Sequence, residues 1–202
     1  MRLLLTQIRD LKVVLKDIER HVKNPDFLRK GREFSNFSLR PREVLANWLL
    51  CTVGNWESGN DNLTFSNDPT GGDGIVFNRK DGAAILTEHV FVPEPKDKNA
   101  ASVEQLIVKA VEHKEKKGEQ YAKGKDLVVF SEAVGLWYPN RATRRIAGTH
   151  HFNSVRVVHL EKSDKKEYVY CVSLLDIRNG NAPSWKVFIN YDFTAWTVTR
   201  VQ

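Results

Sequence analysis

Cysteine is nearly absent from this chain, with only Cys51 and Cys171 in 202 residues. Both stand in apolar surroundings, which argues against a disulfide scaffold and a cysteine-rich zinc site and fits small buried hydrophobes. Phosphate-cradling glycine loops are also missing. GGDG at Gly71–Gly74 has too few glycines in the wrong context, and neither GxxxxGK[ST] nor GxSxG occurs, so P-loop and serine-hydrolase chemistry have no footing. There is no internal repeat and no low-complexity tract. The N-terminal stretch alternates charge with leucine and holds no apolar run of signal or membrane length. The expectation is a cytoplasmic protein with no membrane partner.

What is present is ordinary for a folded chain: 41% hydrophobic and 28% charged residues. The length suits one domain with a real core. Thirty-one Lys and Arg against twenty-five Asp and Glu give a net charge of +6, a mild bias toward a polyanionic partner.

Along the chain, Leu4, Ile8, Leu11, Val14 (or Leu15) and Ile18 recur at helical spacing, and Asn24-Pro25 ends that helix. A second helix starts at Pro41 and runs through PREVLANWLLCTV to Gly54. NWESGNDNLTFSNDPTGG is loop or irregular strand. A hairpin follows, GGDGIVFNRKDGAAILTEHVFVP, and then the polar linker PEPKDKNAA. Ser102 and Gln105 form a capping box for a helix whose face is Val103, Leu106, Ile107, Ala110, Val111 and Lys114, with Gly118 as its stop. GKDLVVFSE predicts a buried strand, and four more strands occupy the chain from Phe152 onward. This order predicts an α/β fold: a mixed sheet with helices packed on it and a C-terminal antiparallel run. The whole reads as one domain over 1–202, with a helical extension (1–40), a core (41–132) and C-terminal strands completing the sheet (133–202).

The hairpin carries acids where a sheet wants apolar side chains. If Asp81-Gly82 is the turn, Asp73 lies diagonal to Glu88 on one face, roughly 7–8 Å away or less. If the loop is Lys80-Asp81, Asp73 stands directly opposite Glu88. Ile75, Phe77, Leu86 and Ala84 share that face, and Val76, Ile85 and Thr87 the other, which predicts an interior hairpin covered on both sides. Two carboxylates there repel each other and resist ionisation unless a cation is present. Mg²⁺, held by one or two carboxylates plus water and phosphate, removes the conflict. The alternative is a solvated pair at the end of the sheet.

These residues resemble the PD-(D/E)XK nuclease superfamily, the restriction-endonuclease-like fold. Gly72-Asp73-Gly74-Ile75 is similar to its first motif, with glycine where proline often stands, and Glu88 to the acid of its second. Glu43 in PREVLANWLL is similar to the helix acid that precedes the hairpin in such proteins. LIVKAVEHKEKKGEQYAKGKDLVVF is similar to the helix and strand that follow it. The resemblance covers about Pro41 to Glu132. It implies a metal-dependent endonuclease acting on nucleic acid, DNA in particular, with Mg²⁺ or Mn²⁺ held by Asp73, Glu88 and the backbone carbonyl of His89, and with a homodimer as a further expectation. Glu43 would bind a second ion or position the nucleophile. One departure is plain: Val90 stands where the motif lysine should be, and His89 faces the other side of the strand. Some members of the superfamily supply that lysine from the following helix, which makes Lys114, on the apolar face, and Lys109, off it, the candidates. The alternative is a nuclease-fold protein without catalysis, acting as a nucleic-acid-binding or protein-interaction module.

WYPNRATRRIAGTHHF interleaves Arg141, Arg144 and Arg145 with Trp137 and Tyr138. Arginines contact phosphates and rings stack on bases, so this is the candidate nucleic-acid surface, against the alternative of a surface loop anchored by its aromatics. His150 and His151 are adjacent and lack sequence partners for a zinc site.

Overall fold

Thirteen of the eighteen residues of the helix Pro41–Ser58 are buried, on every side of it, which makes it a core element rather than an amphipathic surface helix. The structure, a computed structural model, describes residue 8 and residues 10–35, 38–95, 97, 101–148, 150–176 and 178–202. Its helices are α1 (Leu11–Lys23), α2 (Pro25–Lys30), α3 (Pro41–Ser58), α4 (Val103–Glu115), α5 (Glu119–Ala122) and α6 (Pro139–Ile146). Its strands are β1 (Leu63–Ser66), β2 (Ile75–Asn78), β3 (Ala84–Val92), β4 (Lys125–Ser131), β5 (Ser154–Ser163), β6 (Glu167–Leu175), β7 (Ser184–Asn190) and β8 (Trp196–Arg200).

The strands form one mixed sheet in chain order. β3, β4 and β5 are parallel neighbours, and the pairs on either side of them are antiparallel. The two parallel connections carry α4 and α6. Crossovers of one hand stepping in one direction place both helices on the same face. There Val103, Ile107, Val111, Ala142 and Ile146 pack on Leu127, Val129, Val155 and Val157. The other face belongs to α1 and α3, whose Val14, Leu15, Ile18, Trp48 and Leu49 pack with Val128, Phe130, Val158, Tyr170 and Val172. β4 is buried almost throughout, as expected for a parallel strand covered on both faces. No described helix is long and apolar enough to cross a membrane.

The α/β class, the mixed sheet, the capping box at Ser102–Gln105 and the four C-terminal strands are as expected. Several boundaries differ for physical reasons. α1 starts at Leu11 because Asp10 caps it, accepting from the Lys12 N–H at 2.7 Å; Ile8 precedes the helix and Leu4 lies outside the described residues. Residues 11–30 belong to the larger core rather than standing apart from it: Val14, Leu15 and Ile18 are fully buried, and the Trp48 indole donates to the Leu11 carbonyl at 2.8 Å. α3 runs past Gly54, where a Cβ would meet Leu63 at 2.5 Å, and stops at Gly59 in the left-handed conformation. The Gly- and Asn-rich stretch after α3 contributes β1, the edge strand paired with β2. α4 ends at Glu115, and Gly118 instead leads into α5. The arginine-rich segment forms α6 rather than a loop.

Burial also holds four histidines, His21, His89, His150 and His159, below their ordinary pKa, and two of them pack against aromatic rings. The His21 ring lies against Phe27 and Phe34, and His159 lies edge-on to Trp137. Both stay neutral in the fold at pH values where the unfolded chain is already charged. Their contribution to stability is therefore complete above the ordinary histidine value of about 6.5 and falls away as the pH drops below it. The urea midpoint should decline between pH 7 and pH 5, and the double substitution His21→Phe, His159→Phe should decline less over the same interval. Equal slopes for the two chains would refute this account.

Candidate functional site

The β2–β3 pairing sets the site. Ile75 faces Leu86 and Phe77 faces Ala84, the register in which Asp73 falls level with Glu88. The turn that selects it is four residues long, Arg79–Gly82. The Asn78 N–H reaches the Ala83 carbonyl and the Gly82 N–H the Asn78 carbonyl, both at 2.8 Å, while Gly82 takes φ 73°. The hairpin is interior only at its base. Ala83, Ala84 and Ile85 at its tip are exposed, so the expected two-sided cover holds only for the end that carries the acids.

Each face of that base receives one helix. From α3, the buried Asn47 amide donates to the Asp73 carbonyl at 3.2 Å. Its oxygen accepts from the Thr87 hydroxyl at 3.0 Å and lies 3.4 Å from His89 Nε2. Burial pushes the His89 imidazole down to about 3, so the ring is neutral, and as alternation requires it faces away from the acids. Its main chain does meet them, because the His89 N–H donates to Asp73 Oδ2 at 2.7 Å. From α4, on the opposite face, Lys114 Nζ contacts Glu88 Oε1 at 2.5 Å, with both side chains largely buried. The helix reaches this point because its apolar face carries the lysine's stem down to the sheet.

The loop before Asp73 is held by Asp68. Its Oδ1 accepts from the Thr70 N–H and hydroxyl at 2.8 and 2.6 Å, and its Oδ2 from the Gly72 N–H at 3.0 Å. Glu43 is buried near Asp73. Burial raises its pKa, and the Asp73 charge acts in the same sense. One of its oxygens is already engaged, accepting from the Arg40 N–H at 2.8 Å to close the first turn of α3. Arg42 lies beside it, its guanidinium 4.0 Å from Glu43 and 5.1 Å above the Phe91 ring. Tyr121, from α5, lies beside Glu88 in the same cleft and accepts from Lys117 Nζ at 3.0 Å. Burial first, and then Glu88, push its phenol above the usual range and keep it protonated. These groups line one open cleft of about 760 Å³.

Searches against protein-family models, curated proteins and solved structures found no match. The site must therefore be read from its own geometry.

The structure brings together Asp73, Glu88, Glu43 and Lys114 with the main chain of His89. It leaves Lys109 exposed on another face of α4, away from the acids. Arg141, Arg144, Arg145, Trp137 and Tyr138 do not line the cleft. Trp137 is half-buried and edge-on to His159, so its ring packs in the second core rather than being free to stack on a base. His151 is bound to Glu115 through its N–H and ring, at 2.8 and 2.9 Å. Among the described residues, no group of three or more His, Cys, Asp or Glu side chains is placed to hold a metal ion. Sequence reasoning missed Asn47, Asp68, Arg42 and Tyr121. Asn47 was visible only as a polar residue four positions after Glu43 on a helix otherwise rich in apolar ones.

Gly74 joins the loop to β2 with φ 143°, and a Cβ there would lie 2.4 Å from Asn47 Nδ2 and 3.0 Å from Thr87 Oγ1. Gly74→Ala should destabilise the chain by about 1–3 kcal/mol through strain and clash together, read as a lower urea midpoint. An unchanged midpoint would show that the loop yields there freely.

Proposed function

We propose that this chain is a metal-dependent nuclease of the PD-(D/E)XK type, with a restriction-endonuclease-like fold, hydrolysing phosphodiester bonds in DNA. The observation that carries the reading is the contact between Lys114 Nζ and Glu88 Oε1 beside Asp73. An amine delivered from the following helix stands where Val90 leaves the strand motif without one. The order of acid-bearing helix, acid-bearing hairpin, lysine-bearing helix and parallel strand supports the same assignment.

The donor set fits Mg²⁺ or Mn²⁺. Two carboxylates and a main-chain carbonyl, with room for water and phosphate oxygens in an open cleft, match what a hard octahedral cation takes. Asp73, Glu88 and the His89 carbonyl would hold it. When bound, such a metal supplies charge neutralisation at a phosphoryl oxygen and lowers the pKa of a coordinated water.

The chain's own groups do the rest. Lys114 offers an ammonium to the attacking water and to the oxygen on which negative charge develops. Tyr121, protonated and beside Glu88 in the cleft, offers a neutral hydroxyl to the site. Glu43 adds a buried carboxyl beside Asp73, able to help orient the nucleophile while it holds the start of α3. Arg42 and Arg40, lining the cleft, supply cationic contacts for the phosphates flanking the scissile one. The binding-module alternative calls for an apolar or blocked pocket, and a polar cleft with an amine on the acids disfavours it.

The test is cleavage of plasmid DNA with Mg²⁺ or Mn²⁺. Asp73→Ala and Glu88→Ala should each lower the rate by about a hundredfold or more, and Lys114→Met by a comparable factor. Lys109→Met should cleave as the native chain does. Cleavage that survives both acid substitutions would sink the assignment of these residues, and a native chain inactive on every nucleic acid would sink the enzyme.

A further inference from the structure

Among the described residues, the most exposed large apolar side chains are Val134 and Leu136, at 80% and 78% exposure, on the loop joining β4 to α6. The loop is anchored at both ends. At Gly135, φ is 145° and a Cβ would lie 3.3 Å from the Val103 side chain, so the backbone is pressed against the start of α4. Trp137 then packs into the second core. Two apolar side chains thus project into water from a fixed base.

α6 follows directly, with Arg141, Arg144 and Arg145 all exposed. Among the described residues no salt bridge engages any of the three. The helix leads from the loop toward the acid cleft. The loop before it adjoins Val103 at the start of α4, and beyond its far end the His151 N–H binds Glu115 at the end of α4 while Phe152 meets the Tyr121 ring at 6.3 Å.

We propose that Val134 and Leu136 form an apolar wedge that enters a base step of duplex DNA while the arginines of α6 hold the adjoining phosphates. The inference rests on the nuclease reading and names the form of its substrate. Projecting apolar side chains beside uncompensated guanidinium groups suit a polyanion with a hydrophobic interior, which base-stacked DNA is. Arg141 lies over the Tyr138 ring at 4.5 Å, which leaves Arg144 and Arg145 as the two guanidinium groups open to phosphates.

The register gives the spacing. β3 and β4 pair from Glu88–Leu127 to Val92–Ser131, four residues or roughly 13 Å, before the loop begins. The loop that carries Val134 and Leu136 starts there, so the wedge and the acid pair lie at different points along the duplex. The favoured substrate is a duplex with an easily opened step, a mismatch or a TA step, near the cut but not at it.

The experiment uses Asp73→Ala protein in EDTA, which binds without cutting, and a duplex carrying 2-aminopurine at a mismatched step. Binding should raise the 2-aminopurine fluorescence as the base unstacks. Adding Val134→Ser and Leu136→Ser should abolish most of that rise while binding persists. Arg144→Gln with Arg145→Gln should instead weaken binding to every duplex and reduce the slope of log affinity against log salt by about 2. An equal fluorescence rise with the serine variants would overturn the wedge. So would self-association by sedimentation that the serine substitutions abolish, because the loop would then be a contact between copies. No step in this assay depends on cleavage. Failure of the wedge in a chain that cuts plasmid, and failure to cut plasmid at all, are therefore distinguishable results.

Discussion

Asn47 holds three points of the hairpin at once: the Asp73 carbonyl, the Thr87 hydroxyl and the His89 ring. The amide is fully buried, so each of these bonds is made without competition from water and each would leave an uncompensated polar group if broken. α3 can serve as this post because it is itself locked. Its first turn is closed by Glu43, its middle is anchored to α1 through Trp48, and its end is stopped at Gly59. β2 pairs with β3 at only three positions, which set the register of Asp73 against Glu88, and the bonds from Asn47 hold that short pairing to α3.

The sheet then distributes the chemistry. The parallel centre, β3 to β5, must be covered on both faces, so each face of β3 meets a helix. One face receives an amide from α3 that positions the backbone. The other receives an ammonium from α4 that compensates Glu88. Strand alternation keeps the two functions apart: Glu88 and His89 are neighbours in sequence and belong to opposite faces. The same division places the α4 and α6 surface, with its projecting Val134 and Leu136, on the side of the sheet from which the lysine comes.

Much of this was legible beforehand. Asp73 and Glu88 could be placed on one face because period-two alternation needs only the strand and a turn near Lys80–Gly82. Lys114 could be preferred over Lys109 because helical periodicity puts it with Val103, Ile107 and Val111. The turn length was not legible. Lys80-Asp81 and Asp81-Gly82 are equally good turn dipeptides, and the choice fell to the αL conformation of Gly82 and the hydrogen bonds across Asn78 and Ala83. β1 was hidden by Gly, Asn and Asp on both sides of four residues, LTFS, whose strand state depends on β2 lying beside them. α6 was hidden because its apolar face is only Ala142, Thr143 and Ile146, and the arginines dominate its composition.

The sequence alone determined the class of fold, the order of the longer helices and strands, and which acids share a face, because these follow from local periodicities of 2 and 3.6 residues and from caps and turn residues that act over a few positions. Only the tertiary structure decided that Lys114 closes on Glu88, that Asn47 ties the hairpin to α3, and that Tyr121 reaches the site from α5. Those contacts join residues 26 to 42 positions apart. Their geometry comes from how helices pack on a twisted sheet, which no local pattern encodes.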